Sequence, residues 1–381
     1  MSIEGELRVT LHCDGQRVRH VGLQSTRPLV APRLLQGRRP ADAAALVPRL
    51  YALCGQAQGA AATAALMAAG AEPGALPANS AWTVVLEALQ DTLWRLLIDA
   101  PRSLSLPPQA AAVAPARAAV ALAMATLRTR PTPPQPALAA AAKALSDIAA
   151  LHVYGGDPAH WLAGSSTAAF DTWRDTAATL PARALALLAQ AAPGLGRSDT
   201  ALMPDLDDES WWAVVVPALQ RDPLFARAPT WDERPVETGA LARQRAQPLV
   251  AALIARDGHS AATRLAARLV ELASLLDTLA AGTGDAAGWV RAWPLGAGVG
   301  LAAVQTARGL LLHWVRLDAG LIADYCIVAP TEWNFHPQGA LFRGIVGMQA
   351  SDDATLLAHT RLAVHALDPC VGFEVEVVHD A

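Results

Sequence analysis

The residues of this chain with the clearest chemical potential are a few arginines, acids and cysteines that lie far apart in the sequence. Arg308 stands beside a glycine at the predicted end of a strand, and Cys370 follows Asp368 and a proline. A guanidinium donates charge-assisted hydrogen bonds in a fixed geometry, and a thiolate is a soft metal ligand. Taken singly, each has an ordinary structural role, because most such arginines are solvated or pair with carboxylates.

The cysteines show no metal-binding or disulfide pattern by spacing alone. Cys13, Cys54, Cys326 and Cys370 form no CxxC pair. We expect no disulfide framework in a cytoplasmic chain of this length, and a lone cysteine is usually an inert buried thiol. Any role for them must come from the residues that the fold brings beside them.

Length and composition describe the class of protein that must position these residues. The chain has 381 residues, of which 53% are hydrophobic, many of them alanine, and 17% are charged. This composition favours an alanine-rich helical protein with one large core or two closely packed ones. A net charge of -4 gives no reason to expect nucleic acid or an anionic membrane as a partner.

Targeting signals are also absent from the pattern. No apolar run reaches ~18 residues without interruption, so we expect no transmembrane helix. The start, MSIEGELRVTLH, has neither the basic and apolar regions of a signal peptide nor a twin-arginine motif. We therefore expect a cytoplasmic protein.

The β elements are predicted near both ends of the chain. Alternation over 3–24 predicts a hairpin that turns at Asp14-Gly15, and 371–378 alternates like a closing strand. Residues 305–337 are typical of strand, turn, strand, connection and strand, closed by a Trp-Asn corner. In this stretch 310–315 has the apolar character of a strand that is buried on both faces.

The middle of the chain is predicted to be helical, and a glycine-rich connection at 282–300 leads back to the strands. Ser80 is the predicted N-cap of one helix, and an acidic cap at 205–209 precedes another. A proline-rich stretch, TRPTPPQP, is predicted to be a surface linker. The predicted helices are 41–69 with a break at Pro48, 81–99, 108–128, 135–151, 166–191, 210–221, 239–256, 259–281 and 353–367.

Three short words near the C-terminus, in a fixed order, resemble the large subunit of nickel–iron hydrogenases. They are ARG…HW, APTEWN and DPC, where the family has APRG…H, P-S/T-T-W-N and D-P-C-x-x-C-x-x-H. The separation between Arg308 and Thr331 also resembles the family spacing. The resemblance implies a mainly α protein with small β elements (α+β) and a large-subunit-like fold. It implies one domain over 1–381, with a hairpin at 3–24, a helical body at 41–281 and a β-rich part at 298–381.

The N-terminal part resembles the same family in two further words, and these set the register of a third. IEGELR matches R-I-E-G-H-L-R, and GRRPADA matches G-R-D-P-R-D-A. Continuing without a gap onto the family's R-x-C-G-x-C-x-x-x-H places Tyr51 on its first cysteine, Cys54 on the second and Gln58 on the histidine. A three-residue slide would instead make Cys54 the first cysteine and Ala57 the second. We prefer the ungapped register because Arg49 and Gln58 then both fall on polar positions.

The chain departs from the family at several ligand positions. Tyr51 and Phe373 replace one cysteine of each pair, and Glu376 stands at the C-terminal histidine position. Pro32 replaces the carboxylate of the family's F-R-G-x-E word, which contributes to a magnesium site. Glu4 matches a proton-relay glutamate whose role without catalysis is to order the hairpin.

The resemblance implies that only the iron half of the family's metal site remains. Two thiolates cannot supply the four-sulfur environment of a nickel–iron pair, so neither nickel nor hydrogen turnover is expected. Cys54 and Cys370 would bind iron, while Arg308 and Thr331 would donate hydrogen bonds to its two cyanides. Asp368 would hold Arg308 in place, as outer carboxylates do.

These features together resemble the HupK/HoxV-type accessory proteins of hydrogenase maturation, which are degenerate paralogues of the large subunit. The implied function is a non-enzymatic scaffold that transiently carries the Fe(CN)2(CO) fragment. The implied partners are the hydrogenase large-subunit precursor and the small HypC-type and HypD-type maturation proteins, with no nucleic acid and no membrane.

Two other functions remain open on the sequence. One is a metal-free docking chaperone that mimics the large subunit, and the other is a residual hydrogenase or hydrogen sensor. His313 and His336 fit a core or surface role as well as a functional one. Cys13 and Cys326 match no family ligand, and we interpret them as structural.

Overall fold

The structure is a computed structural model of the whole chain. It describes residues 5–27, 30–51, 53–72, 76, 79–129, 135–164, 166–206, 210–282 and 286–379. Glu4, most of the proline-rich linker and the acidic residues at 207–209 lie outside the described residues, as does the side chain of Pro32. The predictions made for these residues are therefore not addressed by the structure.

The two ends of the chain form one sheet, as the sequence predicted. Strands β1 (Glu6–Asp14) and β2 (Arg17–Ser25) form the antiparallel hairpin, which turns at Gly15. The last strand, β9 (Gly372–His379), pairs parallel to β1, with Glu6 opposite Gly372. This pairing fixes the position of Cys370, two residues before β9.

A four-stranded antiparallel meander precedes the C-terminal helices. Its strands run in sequence order and are β5 (Val290–Gly296), β6 (Val299–Thr306), β7 (Gly309–Asp318) and β8 (Leu321–Val328). The first seven residues of β7 are buried, which confirms the prediction of a strand covered on both faces. A short parallel pair, β3 (Ala201–Leu202) and β4 (Val236–Glu237), lies outside both sheets.

The remaining described elements are mainly helices, and α4 and α7 each end in a wider π-helical turn, at Arg95–Asp99 and Ala150–Tyr154. The helices are α1 (Val30–Leu35), α2 (Pro40–Leu46), α3 (Gly55–Ala68), α4 (Ser80–Trp94), α5 (Ala100–Ser103), α6 (Ala110–Thr129), α7 (Gln135–Ala149), α8 (Pro158–Ala163), α9 (Thr167–Thr176), α10 (Leu180–Ala191), α11 (Ser210–Arg221), α12 (Ala240–Gln244), α13 (Pro248–Asp257), α14 (Ala261–Ala281), α15 (Pro330–Asn334), α16 (Ala340–Ile345) and α17 (Asp353–Leu367).

Several predicted boundaries are wrong, and most errors occur where proline restarts a helix. The predicted helix 166–191 is two helices, because Pro181 lies in the first turn of α10. Pro248 likewise begins α13 and separates it from α12. The predicted connection 282–300 contains all of β5, whose alternating burial is masked by its proline and by the glycines within and around it. The N-cap of α4 is Asn79 rather than Ser80.

Helix α3 and the meander form the layers that carry the site. Alanines of α3, including Ala61 and Ala65, pack on the face of the meander that contains Ala302 and Val304. A side chain at Gly300 would meet the Ala65 carbonyl oxygen at 2.1 Å, so glycine lets β6 approach α3 closely. This contact fixes Cys54, which directly precedes α3, relative to the turn after β6.

We expected no transmembrane helix, and two helices are nevertheless long and apolar enough to cross a membrane by length and composition alone. Residues Ala110–Thr129 and Gln135–Tyr154 both pass that test, because alanine-rich helices tolerate a few scattered charges. Each helix also places one face in the largest core cluster, through residues such as Val120 and Leu145. Core helices of soluble proteins pass the same test, so this is weak evidence for a membrane.

Candidate iron-fragment site

Arg308 lies in the tight turn between β6 and β7. The following residue, Gly309, has φ +132°, and a side chain there would meet Thr238 at 2.4 Å. Only glycine fits this conformation and this space. Asn334 donates from Nδ2 to the Arg308 carbonyl oxygen (3.2 Å) and accepts the Thr238 amide at Oδ1 (2.8 Å). The turn is therefore held from both sides.

The Arg308 guanidinium is buried between two carboxylates. Its Nη1 lies 2.6 Å from Asp91 Oδ2, and its Nε lies 3.7 Å from Asp368 Oδ1. Burial opposes its charge, but Asp368, Asp91 and Cys370 outweigh burial and raise its pKa further. Nε makes no hydrogen bond to any described residue, so this donor is available to a ligand.

Asp368 caps the C-terminal end of α17 in the left-handed conformation, with φ +59°. Its buried carboxylate lies 2.6 Å from Arg95 Nε and 3.9 Å from Arg268 Nη2, in addition to Arg308. Burial alone would raise its pKa, but these guanidiniums, Arg95 first, lower it below the ordinary value. The predicted contact between Asp368 and Arg308 is thus present, and Asp368 serves three arginines rather than one.

Cys370 is held by two hydrogen-bond donors. Its Sγ lies 2.6 Å from Arg27 Nη2 and 3.0 Å from Thr331 Oγ1. The Cys370 amide donates to Thr331 Oγ1 (3.1 Å), which leaves the hydroxyl hydrogen to point at the sulfur. Arg27 also lies 3.8 Å from the buried carboxylate of Glu332. A thiolate at Cys370 therefore has a cation and a hydroxyl as ready partners.

Cys54 is the N-cap residue of α3, and its neighbour Leu53 lines the same cleft as Cys370. Burial raises the pKa of the Cys54 thiol to about 12, with further contributions from Cys370 and Glu87, while Arg308 lowers it. Glu87 accepts the backbone N–H groups of Gln56 (2.9 Å) and Ala57 (3.0 Å), and burial raises its pKa to about 7. Without a metal or another cation, Cys54 is a protonated thiol at neutral pH.

A buried hydrogen-bond chain runs from Cys54 into the meander. Gln58 Nε2 lies 3.8 Å from Cys54 Sγ, and Gln58 Oε1 accepts from His313 Nε2 (2.9 Å). The other ring nitrogen, Nδ1, then accepts from the Tyr325 hydroxyl (2.8 Å). Burial lowers the pKa of His313 to about 3, so the ring is neutral and structural.

Cys370 lines one cleft, and Arg27, which contacts its sulfur, lines a second. A cleft of about 530 Å³ is lined by Asp91, Arg308, Cys370 and Phe373, among others. A second cleft, of about 320 Å³, is lined by Arg27, Tyr51 and Glu332. We call them the Arg308 cleft and the Arg27 cleft.

The structure brings together all five residues that the sequence singled out for the site. Arg308 and Asp368 form one contact, Thr331 and Cys370 form another, and Arg308 and Cys370 line one cleft together with Leu53, the residue before Cys54. Within the described residues no three His, Cys, Asp or Glu side chains form a complete metal site. Two sulfurs beside two donors suit a metal fragment that brings most of its own ligands.

Other residues that the sequence analysis discussed lie at the edge of the site or outside it. Glu376 is exposed on β9 and accepts from Thr10 (2.8 Å). His336 is buried and accepts the Gln338 amide. Cys13 is buried in the core, and Cys326 lies half-buried in the Arg27 cleft, where burial raises its pKa to about 12.

Sequence reasoning missed the residues that hold the predicted ones. Glu87 and Asp91 on α4 and Arg95 directly after it are spaced by four, so they lie on one face of a helix whose buried positions are mainly apolar. The spacing of these three charged residues was a signal that the sequence contained. Arg27 and Glu332 gave a weaker signal. Arg27 belongs to no recognised word, and Glu332 replaces a threonine within P-S/T-T-W-N.

Relatives of known name match the chain over nearly its whole length. The hydrogenase expression/formation protein HoxV of Cupriavidus necator is 32% identical over 370 residues, which cover 93% of this chain and 92% of HoxV. The protein HupK of Rhizobium leguminosarum bv. viciae, of the same description, is 30% identical over 94% of this chain and 92% of HupK. The chain belongs to the HoxV/HupK family of hydrogenase expression/formation proteins.

Two further findings connect this family with hydrogenases themselves. Residues 220–375 match the family model described as nickel-dependent hydrogenase. The nickel–iron–selenium hydrogenase of Desulfovibrio vulgaris Hildenborough aligns over 94% of both chains with a TM-score of 0.56 and 16% identity. The hydrogenase of Desulfomicrobium baculatum aligns over 97% of both with the same TM-score. The large-subunit-like fold predicted from the short words is confirmed.

Proposed function

We propose that this protein is a scaffold that carries or assembles the Fe(CN)2(CO) fragment and delivers it to the nickel–iron hydrogenase large-subunit precursor. Its membership in a family of expression/formation proteins supports a role in maturation. The observation that carries the finer proposal is the Arg308 cleft, which Arg308 and Cys370 line from distant parts of the chain and in which Leu53, the neighbour of Cys54, also takes part.

Each residue has a distinct part in holding this cargo. The thiolates of Cys54 and Cys370 bind the iron, which requires the high-pKa thiol of Cys54 to lose its proton as the metal arrives. Arg308 Nε, buried and without a hydrogen bond among the described residues, donates to a cyanide nitrogen. Thr331 lies beside Cys370 and supplies a second donor when its hydroxyl turns from the sulfur. Asp368 positions Arg308.

The same residues argue against catalytic hydrogen turnover. Tyr51 and Phe373 occupy the positions of two family thiolates, and burial raises the pKa of Tyr51 to about 12, so its phenol stays protonated. Two thiolates bind iron more weakly than a complete site does, which suits a protein that must release its cargo. We propose that the fragment is held only transiently and that nickel is not bound.

The proposed partners follow from this role. The large-subunit precursor receives the fragment, and HypC-type and HypD-type maturation proteins supply it. We propose that the exchange takes place in the cytoplasm, where the precursor is made. A metal-free docking chaperone is the alternative, and the same experiment separates the two.

Infrared spectroscopy of protein purified with the maturation machinery tests the proposal, because metal-bound cyanide and carbon monoxide absorb where protein does not. Wild-type protein should show both sets of bands, and Cys54→Ala or Cys370→Ala should abolish them. Arg308→Leu should weaken or shift the cyanide bands, because it removes a buried charge-assisted donor. Elemental analysis should find iron and no nickel.

Cys13→Ala is the matched control, since this buried thiol lies in the core away from the site. Its bands should equal those of wild type. If wild-type protein binds the precursor normally but shows no cyanide or carbon monoxide bands, the scaffold is wrong and the docking chaperone is the better account.

A further inference from the structure

The Arg27 side of Cys370 carries charged groups that the proposed binding of iron does not use. Arg27 donates to Cys370 Sγ at 2.6 Å and lies 3.8 Å from Glu332 Oε2. Both side chains are mostly buried, with 14% and 6% of their surface exposed. Glu332 Oε2 makes no hydrogen bond to a described residue, so Arg27 is its nearest charge partner.

These contacts involve groups that otherwise bind divalent metal ions well. Cys370 offers a sulfur and Glu332 offers a carboxylate, and both are common ligand types for Zn²⁺ and related ions. The guanidinium of Arg27 engages both groups.

Arg27 also stands on a path to the site. It lines the Arg27 cleft together with Tyr51 and Glu332, whereas Arg308 lines the other cleft. Because Arg27 lines this cleft and also contacts Cys370 Sγ, a bare divalent cation in the cleft meets the positive charge of Arg27 on the side that faces Cys370, and that charge repels it in a poorly solvated setting. The Fe(CN)2(CO) fragment has no net charge, since two cyanides balance Fe(II), and it becomes anionic once two thiolates bind.

We infer that Arg27 is a specificity-determining residue that keeps bare divalent metal ions off Cys370 while leaving the thiolate open to a neutral or anionic iron fragment. The inference rests on the proposed function, but only for the identity of the cargo. Exclusion of bare metal ions is a property of the protein without cargo, and it can be measured in that state.

Cobalt titration of purified, reduced, cargo-free protein tests the inference, because a thiolate-to-cobalt charge-transfer band in the near ultraviolet reports sulfur ligation directly. Wild-type protein should show little band. Arg27→Gln should bind Co²⁺ at least about tenfold more tightly, because a buried positive charge beside a ligand is gone. Arg27→Lys keeps the charge and should remain close to wild type, which a merely structural role of the guanidinium would not produce.

Two controls assign the effect to this site. Arg27→Gln combined with Cys370→Ser should lose the band, which excludes Cys326 in the same cleft as the ligand. Arg19→Gln removes an exposed arginine that pairs with Asp14, and it should leave cobalt binding unchanged. Circular dichroism and a count of reactive thiols verify that each variant is folded with its cysteines reduced.

Two outcomes would overturn the inference. One is tight cobalt binding through Cys370 in wild-type protein, and the other is a folded Arg27→Gln variant that gains none. Neither depends on the infrared bands. If wild-type protein carries no cyanide or carbon monoxide but Arg27→Gln gains cobalt binding, the proposal of an iron cargo is wrong. The inference that Arg27 excludes metal ions then still holds.

Discussion

The two sides of Cys370 hold their charges in opposite ways. On the Arg308 side, Asp368 is surrounded by Arg95, Arg268 and Arg308, and these guanidiniums lower its pKa despite burial. On the Arg27 side, Glu332 has one long contact to Arg27, and burial raises its pKa. At the first carboxylate the guanidiniums outweigh burial, whereas at the second burial outweighs the single guanidinium.

The difference indicates which side is rigid and which can change. Removing one member of a compensated buried cluster leaves uncompensated charges, so that side must keep its geometry. A loosely paired arginine can move at smaller cost. The Arg308 side therefore suits an arginine that stays in place as a donor to the cargo. The Arg27 side suits an arginine that moves away from Cys370 when the cargo binds.

The largest expected loss of stability comes from removing the carboxylate that the arginines on the Arg308 side share. Asp368→Asn keeps a residue that tolerates the left-handed conformation but removes the charge that three arginines share. The free energy of unfolding should fall by about 3–5 kcal/mol, because buried guanidiniums lose their partner. Denaturant unfolding at neutral pH measures it.

The variants Glu332→Gln and Asp324→Asn provide a comparison for that loss of stability. Glu332→Gln on the opposite side should cost about 1 kcal/mol or less, since the amide still accepts from Ser25. Asp324→Asn breaks an exposed pair with Arg316 and should also cost about 1 kcal/mol or less. Equal losses for Asp368→Asn and Glu332→Gln would show that the two sides do not differ.

The second effect is a pH dependence centred on Glu87, beneath Cys54. Its pKa is raised from 4.5 to about 7, so the folded state retains a proton that the unfolded state loses as pH rises. Stability should therefore fall between pH 4.5 and about 7, by up to about 3 kcal/mol. Glu87→Gln should flatten this part of the profile. An unchanged slope in the variant would mean that another group titrates.

The third effect concerns the hydrogen-bond chain behind Cys54. Tyr325→Phe removes the hydroxyl that donates to His313 Nδ1 and leaves a buried acceptor without its partner. The loss should be about 1–2 kcal/mol, with the circular dichroism spectrum unchanged. A variant as stable as wild type would indicate that these hydrogen bonds do not help to position Gln58 and Cys54.

Sequence reasoning predicted most of the site because its residues belong to short, ordered words. Arg308, Thr331 and Asp368 could each be matched to a family position, and helix α17 was predicted with its observed bounds. Arg27 could not be found this way, since it acquires its role only when the β1–β2 hairpin and Cys370 meet through the pairing of β1 with β9. Strand β5 was missed because its proline and the glycines within and around it are typical of a loop.

Transfer of labelled cargo tests the central claim most directly. The protein, purified with ⁵⁷Fe-labelled fragment, is mixed with cargo-free large-subunit precursor, and the two are separated again. The account predicts that cyanide and carbon monoxide bands leave this protein and appear on the precursor together with the ⁵⁷Fe, and that Cys370→Ala protein transfers none. Bands that stay on this protein, or a precursor that gains iron equally from the Cys370→Ala variant, would contradict it.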